Sequence, residues 1–382
     1  MTTNSLVRPR HGGNLDWAAS VAGCSPTDIL DFSASINPLG PPKSAITAIK
    51  TNLSQLNLYP EPEYRELRHA LAQFHASVDP DWILPGNGAA ELLTWVGREL
   101  AQLEAVNLLT PAFADYRRSL RAFGAKVVDC SIGTFESDQL QDRPQAIDSL
   151  IEKLHYHPLF DMGILLNNPH NPTGWLFLRE ALKPYLNDFT LVVVDEAFMD
   201  FLPPDQQHSL IELVTEFENL VILRSLTKFY SLPGLRLGYV ITHPDRIRRW
   251  QKWRDPWPVN SLASAAGAAV LQDKAFQQKT WNWLTTARPK LLEGLSQLPG
   301  LYPYTATANF VLVHSQKSVS KLQIKLLKHH QILIRDCLSF PELGDHYFRV
   351  AIRTEVENQK LLDALAAVLS QTREKENSQK ST

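Results

Sequence analysis

From Asp81 onward, short apolar runs alternate with helical patterns, and this rhythm constrains the fold more than any other feature of the chain. Trp82–Leu84, Val106–Leu109, Val127–Cys130, Ile164–Leu166, Leu191–Val194 and Val221–Leu223 each end in turn-forming or charged residues. Runs this short suit strands, and those apolar throughout suit strands covered on both faces. Helical patterns begin near Ala89 and cover Phe113–Phe123, Ser261–Leu271 and Ala275–Leu298, and Leu235–Ile241 suits one more strand. The alternation predicts an α/β fold, a mainly parallel sheet between layers of helices.

The two ends of the chain read differently. The N-terminal part is irregular and rich in Gly, Pro, Ser and Asn, with one helical patch at Leu15–Val21. The C-terminal part offers a strand at Phe310–His314, a helix over Val319–Lys328, strands at Ile332–Ile334 and Tyr347–Ile352, and a last helix over Val356–Leu369. We therefore expect an arm and part of a small domain in 1–45, a large domain in 46–275, a small α+β domain in 276–371 and a polar, disordered tail in 372–382.

Composition excludes several classes of function. With 44% hydrophobic and 20% charged residues, the 382-residue chain is not a disordered one. Its 38 Lys+Arg against 40 Asp+Glu argue against a nucleic-acid partner but leave room for local anion pockets. Three cysteines without a CxxC pair imply neither a disulfide framework nor a metal site. No apolar run has the length of a signal peptide or a membrane span, so a cytoplasmic protein with no membrane partner is expected.

Four motifs carry chemistry, each with a plainer alternative. Ser225-Leu226-Thr227-Lys228 follows a strand, and Arg236 comes eight residues after the lysine. The amine can form a Schiff base while hydroxyls and guanidinium hold a phosphate; a surface lysine in a polar loop is the other reading. Asp195 ends an apolar strand, where a charge needs a partner. It can keep a pyridine nitrogen protonated, or cap the next element. In Asn168-Pro169-His170-Asn171-Pro172-Thr173-Gly174 an asparagine can contact a ring oxygen, or the motif is simply a turn. Gly86-Asn87-Gly88 before a helix suits a phosphate, although three residues are a weak signal.

The order of these motifs, with Pro111-Ala112-Phe113 and Asp195-Glu196-Ala197 between them, resembles the fold-type I aminotransferases that use pyridoxal 5'-phosphate. The resemblance spans roughly Asp31 to Leu369. It implies that Lys228 is the Schiff-base lysine and proton carrier, and that Asp195 pairs with the pyridine nitrogen. It implies that Asn171 contacts the ring hydroxyl and Phe113 stacks on the ring. Gly88, Ala89, Ser225, Thr227 and Arg236 would hold the cofactor phosphate. Tyr59 resembles a tyrosine that reaches the phosphate from a neighbouring subunit, which implies a homodimer with shared active sites. Phe198 departs from the pattern, since many relatives have tyrosine there.

Two neighbouring families fit best, the histidinol-phosphate aminotransferases and the threonine-phosphate decarboxylases of cobalamin biosynthesis. His11-Gly12-Gly13-Asn14, the stretch Asp31 to Gly40, Arg224 to Tyr230 and Tyr347 to Arg353 resemble the decarboxylases. That resemblance places His11, Gly12, Asn171, Arg335 and Arg349 around a phosphorylated amino acid. Arginine suits the task because its planar fork meets a carboxylate or phosphate in two contacts. Arg349 and Arg353 are expected on one face of a strand, with a surface ion pair as the alternative for Arg353. Ser35 stands where the decarboxylases usually have asparagine, which leaves serine phosphate open as a substrate. The outcome, decarboxylation or amino transfer, depends on which bond of the α-carbon stands perpendicular to the ring. A non-catalytic binding protein on the same fold is the remaining class; the presence of Lys228 and Asp195 argues against it.

Overall fold

The computed structural model of the chain describes residues 8–76, 78–133 and 161–380. Residues 1–7 of the expected arm, 77 and 134–160 of the expected large domain, and 381–382 of the expected tail lie outside the described residues. Against borders expected after residues 45 and 275, two compact units form. One comprises Met1–Ser35, Pro172–Gly174 and Trp283–Thr382, the other Ile36–Asn171 and Trp175–Asn282. The first border moves because Asn37 is bonded into the larger unit: its N–H donates to Lys228 O at 3.0 Å and its Nδ2 to Phe229 O and Thr280 Oγ1, both at 2.8 Å. The second falls inside a single helix, Lys274–Ser296.

Thirteen strands are described, numbered in chain order: β1 Leu30–Asp31, β2 Ile83–Gly86, β3 Ala105–Thr110, β4 Val127–Ser131, β5 Met162–Asn167, β6 Leu191–Asp195, β7 Leu220–Ser225, β8 Gly238–Thr242, β9 Leu301–Pro303, β10 Phe310–Ser315, β11 Ile332–Leu333, β12 Arg335–Asp336 and β13 Tyr347–Ala351. The larger unit holds a seven-stranded sheet in the order β2-β8-β7-β6-β5-β3-β4. Its neighbours run parallel except where β8 meets β7 and β2. Strands β3, β5, β6 and β7 are buried along their whole length, as continuous apolar runs require. The strand expected from Leu235 starts only at Gly238. Pro233–Leu235 makes a tight turn and Arg236 takes a left-handed conformation (φ 56°).

The core of this unit joins the helix Ala89–Leu100 to the sheet through Leu92, Leu93 and Val96, with Leu108, Val193 and Leu223 from the strands. A cluster of charged groups is enclosed in this unit. Arg224 on β7 is 1% exposed and lies 3.1 Å from Glu196 Oε2 and 2.6 Å from Asp200 Oδ1. Glu196 also accepts from Ser209 Oγ at 2.6 Å and Leu210 N at 2.8 Å. Burial raises the pKa of both carboxyls and the Arg224 charge draws it back, so the cluster is held as a lattice of bonded charges.

The smaller unit has a four-stranded antiparallel sheet, β12-β13-β10-β9, and a parallel pair, β1 with β11. Leu30 and Asp31 pair with Ile332 and Leu333, so the N-terminal segment is built into this unit as the pattern predicts. Trp17, Ala18, Ile29, Leu327 and Leu333 form a small core there. The last helix runs from Glu355 to Lys380 and takes in most of the stretch expected to be disordered. Its Gln, Arg, Glu and Lys residues are polar, yet they favour helix. Strand β13 stops at Ala351, so Arg353 leaves the strand face it was expected to share with Arg349. It donates instead to Asp31 O at 3.1 Å and pairs with Glu357 at 2.7 Å.

Gly97 marks a close helix–helix approach in the larger unit. A Cβ there would lie 2.4 Å from Ser119 O on the helix Ala114–Ala122. Gly97→Ala is expected to cost about 1–3 kcal/mol through overpacking, read as a lower midpoint in urea with the cofactor site left untouched.

Candidate active site

Parallel strands bring their carboxyl ends to one edge of the sheet, the edge where α/β folds bind ligands. In the larger unit Asn167 pairs with Asp195, Asp195 with Leu223, Ser225 with Gly238, and Gly238 with Gly86. This register sets out along one edge the starts of the four motifs singled out in the sequence.

Gly86-Asn87-Gly88 leaves β2 and enters the helix Ala89–Leu100. Gly88 has φ +76°, and a Cβ on it would lie 2.5 Å from Arg236 Nη2. Gly238 is as constrained: its Cβ would lie 2.6 Å from Ala89 N and 2.8 Å from Arg224 O. Two glycines thus let the loop, the helix N-terminus and the Arg236 guanidinium close up. Arg236 also donates to Pro233 O at 3.1 Å, which fixes its left-handed turn. Ser225 and Thr227 stand at the end of β7 with their hydroxyl oxygens 2.7 Å apart. Backbone N–H groups, two hydroxyls and a guanidinium form a donor set for a phosphate.

Asp195 closes β6 and is buried. Its Oδ2 accepts from Tyr116 OH at 2.8 Å and its Oδ1 from Ala197 N at 2.9 Å. Burial, followed by the Asp195 charge, pushes the Tyr116 phenol well above its ordinary pKa, so it stays a donor. Tyr116 escaped the sequence reading. The signal was there: it lies one helical turn beyond Phe113, and the two rings meet edge to face at 5.6 Å. Lys228 Nζ lies 4.9 Å from the centre of the Phe198 ring, so the position that lacks a tyrosine hydroxyl still offers the amine a π face. Asn171 is buried beside His170, whose pKa burial lowers to about 3; that imidazole is neutral at any working pH. Tyr59 is 77% exposed and stacks on Trp257 at 4.4 Å, apart from the buried groups.

The smaller unit holds His11, Gly12, Ser35, Arg335 and Arg349 of the residues expected around a substrate, while Asn171 belongs to the larger unit. Arg335 on β12 faces Arg349 on β13 in register, so two guanidinium side chains leave one face of the sheet as directly opposed neighbours. Both are buried, at 7% and 8% exposure. Burial and then the Arg335 charge bring Arg349 down to about 10, which leaves it cationic at neutral pH. Arg349 lies over the Phe310 ring at 4.6 Å, and Arg335 donates to Ser339 Oγ at 2.6 Å and to Arg10 O. Gly12 packs on the Ser33 backbone, where a Cβ would come within 2.4 Å of Ser33 O. His11 beside it is exposed. The Ser35 hydroxyl is enclosed and has no hydrogen-bond partner among the described residues, while its carbonyl accepts from Asn309 at 3.0 Å. A buried orphan hydroxyl and two opposed cations are features of a surface shaped for an anion rather than for stability.

The larger unit's edge suits a phosphorylated aromatic ring bearing a basic nitrogen and held through an amine. The aminotransferase class I and II family matches residues 27–365. The chain belongs to that family of pyridoxal-phosphate-dependent enzymes. It is 39% identical over 371 residues to the threonine-phosphate decarboxylase of Salmonella typhimurium, covering 96% of this chain and 98% of that one. The L-threonine-O-3-phosphate decarboxylase of Porphyromonas gingivalis superposes with a TM-score of 0.75 at 25% identity, over 89% of this chain and 99% of that one. The histidinol-phosphate aminotransferase of Clostridium acetobutylicum does so with 0.79 at 29% identity, over 90% and 100%. Among the described residues no helix is long and apolar enough to cross a membrane, and no His/Cys/Asp/Glu group is placed to hold a metal ion.

A dianion settling on Arg335 and Arg349 would relieve their mutual repulsion. Sulfate at about ten times its dissociation constant is expected to add about 1.4 kcal/mol to the stability of the cofactor-loaded protein. Thermal melts should show this rise in the parent and lose it in Arg349→Met.

Proposed function

We propose that the chain decarboxylates L-threonine O-3-phosphate to (R)-1-amino-2-propanol O-2-phosphate and CO2, the step that supplies the nucleotide loop of cobalamin. The observation that carries this reading is the buried, in-register pair Arg335 and Arg349, which suits a substrate with more than one anionic group. The similarity to the Salmonella decarboxylase along nearly the whole chain supports it.

Pyridoxal phosphate, when bound, supplies an electron-poor ring that accepts the electron pair left when a bond to the α-carbon breaks. The chain's own residues do the rest. Gly88, Ala89, Ser225, Thr227 and Arg236 would hold the phosphate, and Phe113 and Asn171 the ring. Asp195, oriented by Tyr116 and Ala197 N, would hold a proton on the ring nitrogen. Arg335 and Arg349 hold anionic ends of the substrate, and His11, Gly12 and Ser35 line the same group of contacts. Orientation decides the outcome: the bond from the α-carbon to the carboxylate carbon breaks, CO2 leaves, and Lys228 Nζ returns one proton to the α-carbon. The enclosed Ser35 hydroxyl favours one variant of this reading, in which serine phosphate is also accepted. One methyl group separates the two substrates and is worth about 1–3 kcal/mol of discrimination.

The working form is a cytoplasmic homodimer. Leu53, Leu56, Leu58 and Tyr59 expose an apolar run of the kind a second copy would cover, and Tyr59 is the residue that would reach the partner's cofactor phosphate. Sedimentation of an active monomer at working concentration would contradict the dimer.

The test follows labelled CO2 from carboxyl-labelled threonine phosphate, with serine phosphate in parallel. Release from threonine phosphate is expected, and Lys228→Ala should lower it by about 10²–10⁴-fold. Amino transfer from histidinol phosphate to 2-oxoglutarate with no CO2 from either substrate would sink the reading.

A further inference from the structure

The smaller unit contains a second guanidinium–carboxylate contact, beside the arginine pair. Asp336 follows Arg335 on β12 and is 3% exposed. Its Oδ2 accepts from Arg8 Nη1 at 2.9 Å. Its Oδ1 lies 3.9 Å from Arg335 Nη1, beyond hydrogen-bonding distance. The carboxylate therefore stands between two cations and is bonded to the one that comes from the N-terminal arm.

Arg8 is held in that position by several groups. Its Nη1 also donates to Gln323 Oε1 at 2.5 Å, its Nη2 to Ser320 O at 3.4 Å, and its guanidinium lies 5.8 Å from the centre of the Trp17 ring. Gln323 is fixed in turn by donating to Ile334 O at 2.8 Å. Asp345 also feels the Arg8 charge, but it is engaged by Ser318 Oγ at 2.6 Å and Ser320 N at 2.7 Å. Asp336 and Cys337 are the acidic groups acting on Arg335, and burial pushes the Cys337 thiol up to about 12, which keeps it neutral.

We propose that Arg8 is a positioning residue for substrate binding: by engaging Asp336 it keeps that carboxylate from hydrogen-bonding Arg335, so that Arg335 can turn its guanidinium to an anionic group of the substrate. The inference rests on the reading above that this pair receives an anionic group of the substrate. A buried carboxylate that loses its cation must find another. With Arg8 gone, Arg335 is the neighbouring fork, and Asp336 becomes an internal competitor for it. A simple anchoring role for Arg8 makes a different forecast, because Asp336 would then help the arm to dock and its loss would mimic the loss of Arg8.

The experiment measures kcat and KM for threonine phosphate with cofactor-saturated Arg8→Ala, Asp336→Asn, the double variant and Arg335→Ala. Arg8→Ala should raise KM about tenfold with kcat within about twofold, the mark of lost uniform binding. Asp336→Asn should stay within about threefold of the parent, and the double variant should return to that range, since the competitor is gone. A double variant as weak as Arg8→Ala, an Asp336→Asn variant as weak as Arg8→Ala, or an Arg8→Ala variant with unchanged KM overturns the inference. Arg335→Ala with unchanged KM contradicts the reading of the arginine pair, and the inference falls with it. Circular dichroism spectra matching the parent establish that each variant is folded.

Discussion

The register of the parallel strands is the constraint on which the cofactor side of this protein depends. Strands β3, β5, β6 and β7 run parallel to one another, so their carboxyl ends meet at one edge. Asp195 and Ser225 close adjacent strands at that edge, and the loop after β2 arrives there through β8. A slip of one residue would turn each of these side chains to the other face of the sheet. Gly88 and Gly238 add the second condition. Neither tolerates a Cβ, and together they let the helix Ala89–Leu100 present its N-terminus beside Arg236.

The two buried arginine clusters show how differently one residue type is used. Arg224 lies among Glu196, Asp200 and Ser209, and its charge is matched inside the larger unit. Replacing such a cluster by apolar groups is often neutral for stability, so its use here is to fix the turn after Asp195. Arg335 and Arg349 face each other with the nearby carboxylate committed to Arg8. Burial and the like charge of Arg335 lower the pKa of Arg349, whereas carboxylates raise that of Arg224.

The sequence made much of this legible. Apolar runs of the right length marked β3, β5, β6 and β7, because strands covered on both faces leave a continuous pattern. The turn chemistry after β2 and β7 marked Gly88 and Lys228, and the charge that closes β6 marked Asp195. What it hid depends on long-range pairing. Arg335 and Arg349 are fourteen residues apart in the chain, and only the β12–β13 register makes them opposed. Arg8 and Asp336 are 328 residues apart, which no local pattern can join. Of the two readings of Arg353, the structure has the ion pair, because the strand ends at Ala351 and Glu357 one helical turn away offers a partner. The last helix runs past the expected end because polar helix formers extend it.

In the proposed function these residues direct the reaction at the α-carbon toward loss of CO2. Proton NMR of the products formed from threonine phosphate in D2O reads this outcome. Aminopropanol phosphate with a single deuteron on the carbon that carries the amine is expected, placed there when Lys228 returns a solvent-derived proton. Substrate that exchanges its α-proton for deuterium and yields a 2-oxo acid, with no aminopropanol phosphate, would contradict it.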